Sequence, residues 1–373
     1  MGRSHSLEAL QKLGIESVIN ASGRMTRLGV NTLSEDVFEA MAAGGRSYVD
    51  IEHLHRKVGE HIARRLGAED AMVTTGAAAG VSLMVAACVA GDDLVRVQAL
   101  PDAVDGPRQI LIQSGHQVNF GADINQMVRI GGGRPTSVGA ANQVHDAHLF
   151  GSLTKEVVAF LYVQSHHAVQ KGMLPLDRCI EICHERGVPV IVDAAAEEDL
   201  KRYTSSGADL VTFSGGKAIG GPTSGIIAGS ARLIQACRAQ NDGIGRPMKV
   251  GKEQLLGLAV ALDQYFDRDQ EAETVRCSRI VDRLIDGLSP LNGIEVTRLR
   301  DEAGRGIERV GIVLDSHGAS ELVNHLVAGT PAIYPRTHLM SQGIVALDPR
   351  PLGETNVDTI VERVRSFYTS QED

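Results

Sequence analysis

An amine and a carboxylate follow two apolar segments in the middle of the chain. Lys217 lies in the turn Ser214-Gly-Gly-Lys217-Ala-Ile-Gly, directly after residues 211–213, and Asp193 ends the apolar segment 188–192. Both segments have the length and composition of buried strands, so each polar residue is expected at a strand end. This pairing suits pyridoxal 5'-phosphate (PLP), because a lysine forms a Schiff base with its aldehyde and a carboxylate keeps its pyridine nitrogen protonated. A solvated lysine in a β-turn is the alternative interpretation of Ser-Gly-Gly-Lys on its own.

A turn that suits a phosphate group lies earlier in the chain. In Val73-Thr-Thr-Gly76-Ala-Ala-Ala-Gly80 a strand ends, a glycine turns the chain, and a helix begins with small residues only. Such a helix N-terminus presents backbone N–H groups and a partial positive charge to an anion. An ordinary strand-to-helix turn would have the same pattern. The residues expected to bind the cofactor phosphate are Thr75, Gly76, Ala77, Ala78 and Ser214.

Other nucleotide and nucleophile motifs fail on spacing. A P-loop ending in Gly216-Lys217 would need glycine at position 211 and serine or threonine at 218, where the chain has Val211 and Ala218. No Gly-x-Gly-x-x-Gly fingerprint follows a strand, and Gly221-Pro-Thr-Ser224-Gly has the wrong spacing for a Gly-x-Ser-x-Gly elbow. These absences leave the cofactor interpretation of Lys217 in place.

Alternating strands and helices are predicted to position these residues. Helices are predicted within 34–66, with a break at Gly44-Gly45, and at 78–90, 176–186, 253–266 and 270–288. Strands are predicted at 71–75, 93–97, 109–113, 157–163, 188–192, 208–213 and 224–229. Continuous apolar strands separated by helices indicate a mostly parallel central sheet covered on both faces, which is an α/β fold.

The sequence changes character near residue 270. Beyond the long charged helix, short strands are predicted at 293–298, 310–314 and 343–347 around a helix, as in a small α+β domain. We therefore predict an N-terminal segment at 1–33, a large PLP-binding domain at 34–269 and a small C-terminal α+β domain at 270–373.

Composition limits the partners. The net charge of -9 argues against a nucleic-acid surface, which needs clustered Lys and Arg to neutralise phosphates. The most apolar stretch, 77–91, is shorter than the roughly 20 residues that span a bilayer, and the first residues lack the apolar core of a signal peptide. The five cysteines are scattered without a disulfide pattern, which favours a reducing compartment. We expect a soluble, cytoplasmic protein.

The order of these features matches a known family. The turn at 75–78, Asp193 and Ser214–Lys217 follow one another as in fold-type-I PLP enzymes. Val18-Ile-Asn-Ala-Ser-Gly, the stretch 54–71 and the stretch 208–225 resemble the SelA-like family, which includes bacterial selenocysteine synthase. The resemblance runs from about residue 14 to the C-terminus. It implies an aspartate aminotransferase-like fold with a small C-terminal α+β domain.

Three further stretches, 165–173, 192–200 and 243–253, resemble the ammonia-lyase branch of that family, which acts on D-glucosaminate 6-phosphate. The resemblance implies α,β-elimination of water from a β-hydroxy amino acid, giving a 2-oxo acid and ammonia. Racemase, aldolase or β-replacing transferase chemistry remains open, because PLP supports all of these reactions. A non-enzymatic protein on a degenerate PLP fold is a third alternative, against which intact Lys217 and Asp193 speak.

The same resemblance bears on partners. Selenocysteine synthase carries an additional N-terminal domain that binds tRNA, whereas this sequence begins almost directly at the catalytic domain and is acidic. We expect a small amino-acid or amino-sugar-acid substrate, with no nucleic acid and no membrane. Because fold-type-I sites are commonly completed across a two-fold interface, a homodimer or larger homo-oligomer is expected.

Roles around the cofactor follow from chemistry and from the family. Lys217, once displaced by substrate, is the expected base at Cα, and Ala195 is small enough to lie under the ring. The family implies that His116 stacks on that ring, and a histidine of the surface or the core is the alternative interpretation. Ser165, His166 and His167 follow a strand, and one of them is expected to contact the cofactor 3'-oxygen or to protonate the departing hydroxyl.

Three basic residues are expected to bind substrate. The resemblance to fold-type-I enzymes implies that Arg336, in the small domain, binds the substrate carboxylate, for which a planar bidentate donor is suited. A surface arginine after Pro335 is the alternative interpretation. Arg246 and Lys249 lie with Lys252 in a glycine-rich loop of an otherwise acidic chain. The family architecture implies that this loop reaches a neighbouring subunit's site and binds the cofactor or substrate phosphate. No third ligand at metal spacing accompanies the His166-His167 pair, so no metal is expected.

Overall fold

The computed structural model describes residues 9–102, 105–291, 294–301 and 306–369. Its strands are β1 (Ile19–Ala21), β2 (Asp70–Thr74), β3 (Gln109–Gln113), β4 (Arg134–Val138), β5 (Val157–Val163), β6 (Val190–Asp193), β7 (Leu210–Ser214), β8 (Gly225–Gly229), β9 (Glu295–Arg300), β10 (Glu308–Val313), β11 (Ile333–Pro335) and β12 (Ile344–Leu347). Its helices are α1 (Glu35–Arg46), α2 (Ile51–Leu66), α3 (Ala77–Ala90), α4 (Leu94–Ala99), α5 (Ile124–Ile130), α6 (Asp146–Ser152), α7 (Leu176–His184), α8 (Leu200–Thr204), α9 (Ala231–Ala239), α10 (Lys252–Asp267), α11 (Gln270–Leu288), α12 (Ser316–Ala328) and α13 (Glu354–Thr369).

The chain forms two compact units. One contains residues Thr32–Arg268, and the other contains the chain up to Asn31 together with the chain from Asp269 onward. The N-terminal part joins the second unit because β1 pairs in parallel with β11, with Ile19 opposite Ile333. A pairing between positions more than 300 residues apart leaves no local trace in the sequence.

The larger unit is built on a seven-stranded sheet in the order β2-β8-β7-β6-β5-β3-β4. β8 runs antiparallel to both of its neighbours, and the other pairings are parallel. Six strands therefore point the same way, as predicted for a mostly parallel central sheet. Apolar side chains pack on both faces of the sheet in two core clusters, which is why its central strands read as continuous apolar runs.

Helix α3 is the most buried helix of this unit. Eleven of its residues are buried, because its own side chains are small or aliphatic on every face. Gly80 lets it approach the sheet, since a Cβ at this position would lie 2.2 Å from the Thr212 hydroxyl oxygen. The helix that follows the phosphate-type turn is thus held directly against β7.

Two local predictions are wrong. Residues 93–97 form the start of α4 rather than a strand, because the Asp93 carboxylate accepts hydrogen bonds from the N–H groups of Val95 (2.9 Å) and Arg96 (3.1 Å) and caps a helix. Gly44 and Gly45 lie inside α1, and the chain breaks at residues 47–50 instead. A Cβ on Gly44 would lie 3.1 Å from the carbonyl of Lys252, so this glycine permits close packing with α10.

The smaller unit has a three-stranded antiparallel sheet in the order β12-β10-β9. One end of the strand predicted at 293–298 lies outside the described residues, and β9 begins at Glu295.

Buried inside this unit, Arg309 donates from Nε to Asp348 (2.9 Å) and from a terminal nitrogen to Asp301 (2.7 Å). Arg350 also donates to Asp348 at 2.8 Å. Burial would raise the pKa of Asp348, but hydrogen bonds and charge from Arg350 and Arg309 outweigh it and lower the pKa to about 2.

Neither a membrane-spanning helix nor a metal-binding cluster occurs in the part of the chain that the structure describes. Within the described ranges, no helix has both the length and the apolar character needed to cross a membrane. The same residues contain no cluster of three or more His, Cys, Asp or Glu side chains that could hold a metal ion. The five cysteines are free thiols.

Candidate active site

The carboxyl ends of the parallel strands define one edge of the large sheet. The ends of β2, β6 and β7 lead into the phosphate-type turn, into Asp193 and into the Lys217 loop. Ligands in open parallel sheets bind at this edge, where loops rather than strands supply the functional groups. The residues predicted for the cofactor from distant parts of the sequence therefore belong to one edge.

Asp193 is the last residue of β6 and is fixed on both sides by backbone pairing. The Gln164 N–H donates to its carbonyl at 2.8 Å, and Asp193 lies opposite Thr212 in β7. Its side chain is 9% exposed, and one carboxylate oxygen accepts from the Ala195 N–H at 3.1 Å. Burial raises the pKa of Asp193 to about 6, although the Ala195 N–H and the charge of Lys217 lower it in part.

Lys217 lies in a loop that backbone hydrogen bonds hold in place. The Ser214 N–H donates to the Ala195 carbonyl at 3.3 Å, and the Gly215 N–H donates to the Ser224 carbonyl at 2.8 Å. Glycine is required at 215, because a Cβ there would lie 2.1 Å from the Ser224 hydroxyl oxygen. The charge of Lys217 opposes in part the burial that raises the pKa of Asp193.

The phosphate-type turn has an uncapped helix N-terminus. Gly76 is the N-cap of α3; no side chain caps this end, and the first turn carries no acidic residue. The Thr74 hydroxyl accepts from the Gly76 N–H at 3.1 Å and donates to the Gly76 carbonyl at 2.7 Å, which fixes the turn. Around Gly76, a Cβ would meet no atom within 4 Å, so open space lies beside the backbone. This geometry suits an anion.

His116 lies in the interior of the protein, whereas a ring that stacks on a cofactor needs one accessible face. It is fully buried, its Nδ1 accepts from the Val163 N–H at 3.3 Å, and its ring meets Tyr162 edge-on at 4.6 Å between centroids. Burial lowers the pKa of His116 to about 4, which nearby Gln170 opposes in part, so the ring is neutral at pH 7. The predicted ring-stacking role stays a prediction.

Ser165, His166 and His167 follow β5 at the same sheet edge. Ser165 is half-buried, and its hydroxyl accepts from the His167 N–H at 3.2 Å. Both histidines are exposed, and their rings lie 3.9 Å apart between centroids. Both imidazoles follow the carboxyl end of β5, and their part in proton transfer stays a prediction for this chain.

The three predicted substrate-binding residues divide between the two units. Arg336 belongs to the smaller unit, where it is 9% exposed and its Nε donates to His338 Nδ1 at 3.0 Å. Arg246 and Lys249 are exposed residues of the larger unit, at and just after a short 3-10 helix. Their roles stay predictions.

The residues present fit PLP. A buried carboxylate with a raised pKa gains from a cationic N–H partner, and the pyridinium of PLP would provide one. Lys217 provides the amine for covalent attachment, and the end of α3 provides a phosphate site. Sequence reasoning missed Tyr265 and Arg268, whose side chains reach the loops after Asp193 and Lys217; no motif marks them, because the contacts span about 50 residues or more.

Comparison with known proteins identifies the family. The sequence model of SelA, L-seryl-tRNA selenium transferase, matches residues 18–289. The chain belongs to the SelA family. It is 39% identical to the D-glucosaminate-6-phosphate ammonia lyase of Salmonella typhimurium, with 96% of this chain and 97% of the relative covered. A solved structure of D-glucosaminate-6-phosphate ammonia-lyase superposes with a TM-score of 0.91 at 38% identity, covering 98% of this chain and 99% of that one.

Another relative carries a different name. The 5'-C-glycyluridine monooxygenase-decarboxylase of a Streptomyces species is 42% identical over 98% of this chain and 92% of its own length. The selenium transferase of Clostridium perfringens is 26% identical, and the match covers 73% of this chain and 61% of the transferase.

The fold extends to distant PLP enzymes. A serine palmitoyltransferase from S. paucimobilis has a TM-score of 0.60 at 12% identity, with 99% of this chain and 97% of that one covered. These matches confirm the predicted family, the fold-type-I class and the PLP cofactor.

Proposed function

We propose that this SelA-family lyase removes water by α,β-elimination from a β-hydroxy α-amino acid of the amino-sugar-acid class carrying a terminal phosphate. The products are a 2-oxo acid and ammonia. The observation that carries the proposal is the full-length likeness to the Salmonella ammonia lyase, combined with a lysine and a buried carboxylate at adjacent strand ends. This fold alone would fit many PLP reactions.

The chain's own residues have separate tasks in this reaction. PLP, when bound, withdraws electrons from Cα of the substrate and so makes its proton removable. The Lys217 amine takes that proton, and the Asp193 carboxylate holds the proton on the pyridine nitrogen. His166 or His167 donates a proton to the departing β-hydroxyl, which leaves as water. The released enamine tautomerises and is hydrolysed to the 2-oxo acid and ammonia, so atoms and protons balance.

Three basic residues are proposed to bind the substrate's anionic groups. Arg336 binds the carboxylate through its guanidinium, whose orientation is supported by the hydrogen bond to His338. Arg246 and Lys249 bind the terminal phosphate; both are exposed, as residues that reach a neighbouring subunit need to be. A homo-oligomer is part of this proposal, and a cytoplasmic location stays a prediction.

A second candidate function has its own support. The Streptomyces relative is named for oxygen insertion and loss of carbon dioxide, and its identity to this chain, 42%, is higher than the 39% of the ammonia lyase. Both substrate names describe an α-amino acid whose side chain is a hydroxylated, sugar-derived chain. Oxidative decarboxylation of such a substrate is therefore the alternative that the test must separate.

The test is a substrate screen on the holoenzyme. D- and L-β-hydroxy amino acids, with and without a terminal phosphate, are incubated in deuterated buffer with and without oxygen. Elimination predicts equal amounts of ammonia and 2-oxo acid from a phosphorylated compound, independent of oxygen. Carbon dioxide release that requires oxygen would replace the proposal with the alternative, and α-deuterium without ammonia would indicate racemisation.

A further inference from the structure

Two loops leave the sheet edge beside Asp193 and Lys217. Residues 194–199 follow the carboxylate, residues 215–221 carry the amine, and both loops lie beyond the strand pairing of β6 and β7. The relative position of amine and carboxylate therefore depends on what holds these loops. A misplacement of about 1 Å in such a site costs on the order of a hundredfold in rate.

Tyr265, in the last turn of α10, holds the loop after Asp193. Its hydroxyl donates to the Glu198 carbonyl and accepts from the Leu200 N–H at 3.4 Å. Burial raises the pKa of Tyr265, so its hydroxyl stays protonated and able to donate. One side chain thus bonds to both sides of Asp199.

Arg268, directly after α10, holds the loop that carries Lys217. Its guanidinium donates to the Ala218 carbonyl at 3.3 Å, next to Lys217 in the chain. The guanidinium carbon also lies 4.5 Å from the centroid of the Tyr265 ring, a cation–π distance. Tyr265 and Arg268 therefore form one connected pair that contacts both loops.

We propose that Tyr265 and Arg268 are positioning residues that set the placement of Lys217 relative to Asp193. The pair bonds to the carbonyls of Glu198 and Ala218 and to the N–H of Leu200, so it acts on the main chains of the two loops. This inference deepens the proposed function and rests on it only for the roles of Lys217 and Asp193.

Arg65, near the end of α2, offers a matched control because it contacts the same end of α10. Its guanidinium carbon lies 5.0 Å from the Phe266 ring, and it pairs with Asp263 at 3.2 Å and with Asp267. It makes the same kinds of contact with the end of α10, but its described contacts reach neither loop. Replacement of Arg65 should therefore change the stability of α10 without changing the placement of Lys217 relative to Asp193.

The experiment compares Arg268→Ala, Arg268→Lys, Tyr265→Phe and Arg65→Ala as holoenzymes. The first readout needs no substrate: the visible absorbance of PLP joined to Lys217 is titrated with pH, and reduction by borohydride fixes the attachment. We expect Arg268→Ala and Tyr265→Phe to shift the titration midpoint. We expect kcat for ammonia release to fall on the order of tenfold to a hundredfold with little change in KM. Compared with Arg268→Ala, Arg268→Lys should restore part of the titration midpoint and part of kcat.

Arg65→Ala should lower the melting temperature without moving the titration midpoint. Equal midpoints in all four variants and the parent would overturn the proposal, as would an Arg65→Ala shift as large as that of Arg268→Ala. If Arg268→Ala does not fold, Tyr265→Phe, which keeps the ring under Arg268, decides alone. Failure of the proposed substrate would leave the spectroscopic result intact, so the two failures are distinguishable.

Discussion

The backbone N–H of Ser214 donates to the carbonyl of Ala195 at 3.3 Å, which joins the end of the strand before Lys217 to the loop after Asp193. The hydrogen-bond ladder between β6 and β7 thus continues past the strand ends, where Ala194 also donates to Thr212 at 3.0 Å. Main-chain bonds are short and directional, so they set the spacing of the two loops where these leave the sheet. Farther along, the loops are bonded by Tyr265 and Arg268.

Replacement of Lys217 should abolish covalent cofactor attachment. Lys217→Ala removes the amine that forms the linkage and takes the Cα proton, so we expect ammonia release to fall roughly 10³-fold or more. Borohydride treatment followed by peptide mass analysis checks attachment. Lys171→Ala, an exposed lysine beside a glycine, is the control and should keep full turnover; a Lys217→Ala enzyme with parent activity would refute the assignment.

Asp193→Asn should weaken catalysis while it stabilises the apoprotein. In the folded chain the pKa of Asp193 is raised from 3.8 to about 6, so between these values the folded state binds more protons than the unfolded state. Apoprotein stability should therefore fall as pH rises from about 4 to about 6, by about 3 kcal/mol in total. Asparagine removes this dependence but cannot hold the pyridine nitrogen protonated.

Urea unfolding of the two apoproteins at about pH 4 and about pH 7 checks the stability part. The parent should be less stable than Asp193→Asn at the higher pH, and the difference should shrink at the lower one. Adding PLP should stabilise the parent more than the variant. A variant that loses stability equally at both pH values would contradict a buried, raised-pKa carboxylate.

Gly76→Ala and Gly80→Ala should separate cofactor affinity from folding. A Cβ on Gly76 meets nothing within 4 Å and φ is 174°, so the methyl should leave stability unchanged but obstruct a phosphate at the helix N-terminus. A Cβ on Gly80 would overlap the Thr212 hydroxyl and should cost about 1–3 kcal/mol of stability. PLP titration and urea unfolding measure both; parent PLP affinity in Gly76→Ala would remove the phosphate assignment.

Asp348→Asn should destabilise the smaller unit. Asp348 is fully buried between Arg309 and Arg350, and removing its charge leaves two guanidinium groups undercompensated, at a cost of about 3–5 kcal/mol. Because the pKa of Asp348 is lowered from 3.8 to about 2, its stabilisation is present above about pH 4 and is lost as pH falls toward about 2. Asp282→Asn, at the exposed pair with Arg298, should change stability by less than about 1 kcal/mol.

Local chemistry accounts for most of the elements that could be predicted. The apolar runs at β3 and β5 have the predicted bounds because uninterrupted buried strands stand out between turn residues. The strand predicted at 93–97 is wrong because hydrophobic periodicity does not show that the Asp93 side chain accepts hydrogen bonds from the next N–H groups. The edge strand β4, Arg134–Val138, was missed because its Pro135 and polar residues are those of an edge position.

By itself the sequence determined the chemistry of this protein: a lysine in a glycine turn, an aspartate after an apolar strand, a glycine turn before a small-residue helix, and the family to which they belong. Residue types and their order carry this information, because covalent attachment and ionisation are properties of side chains. The tertiary structure alone decided which residues share a site, and how burial changes their protonation. Burial arises only when segments far apart in the chain pack together; it raises the pKa of Asp193 and encloses His116. The same packing brings the side chains of Tyr265 and Arg268 to two distant loops.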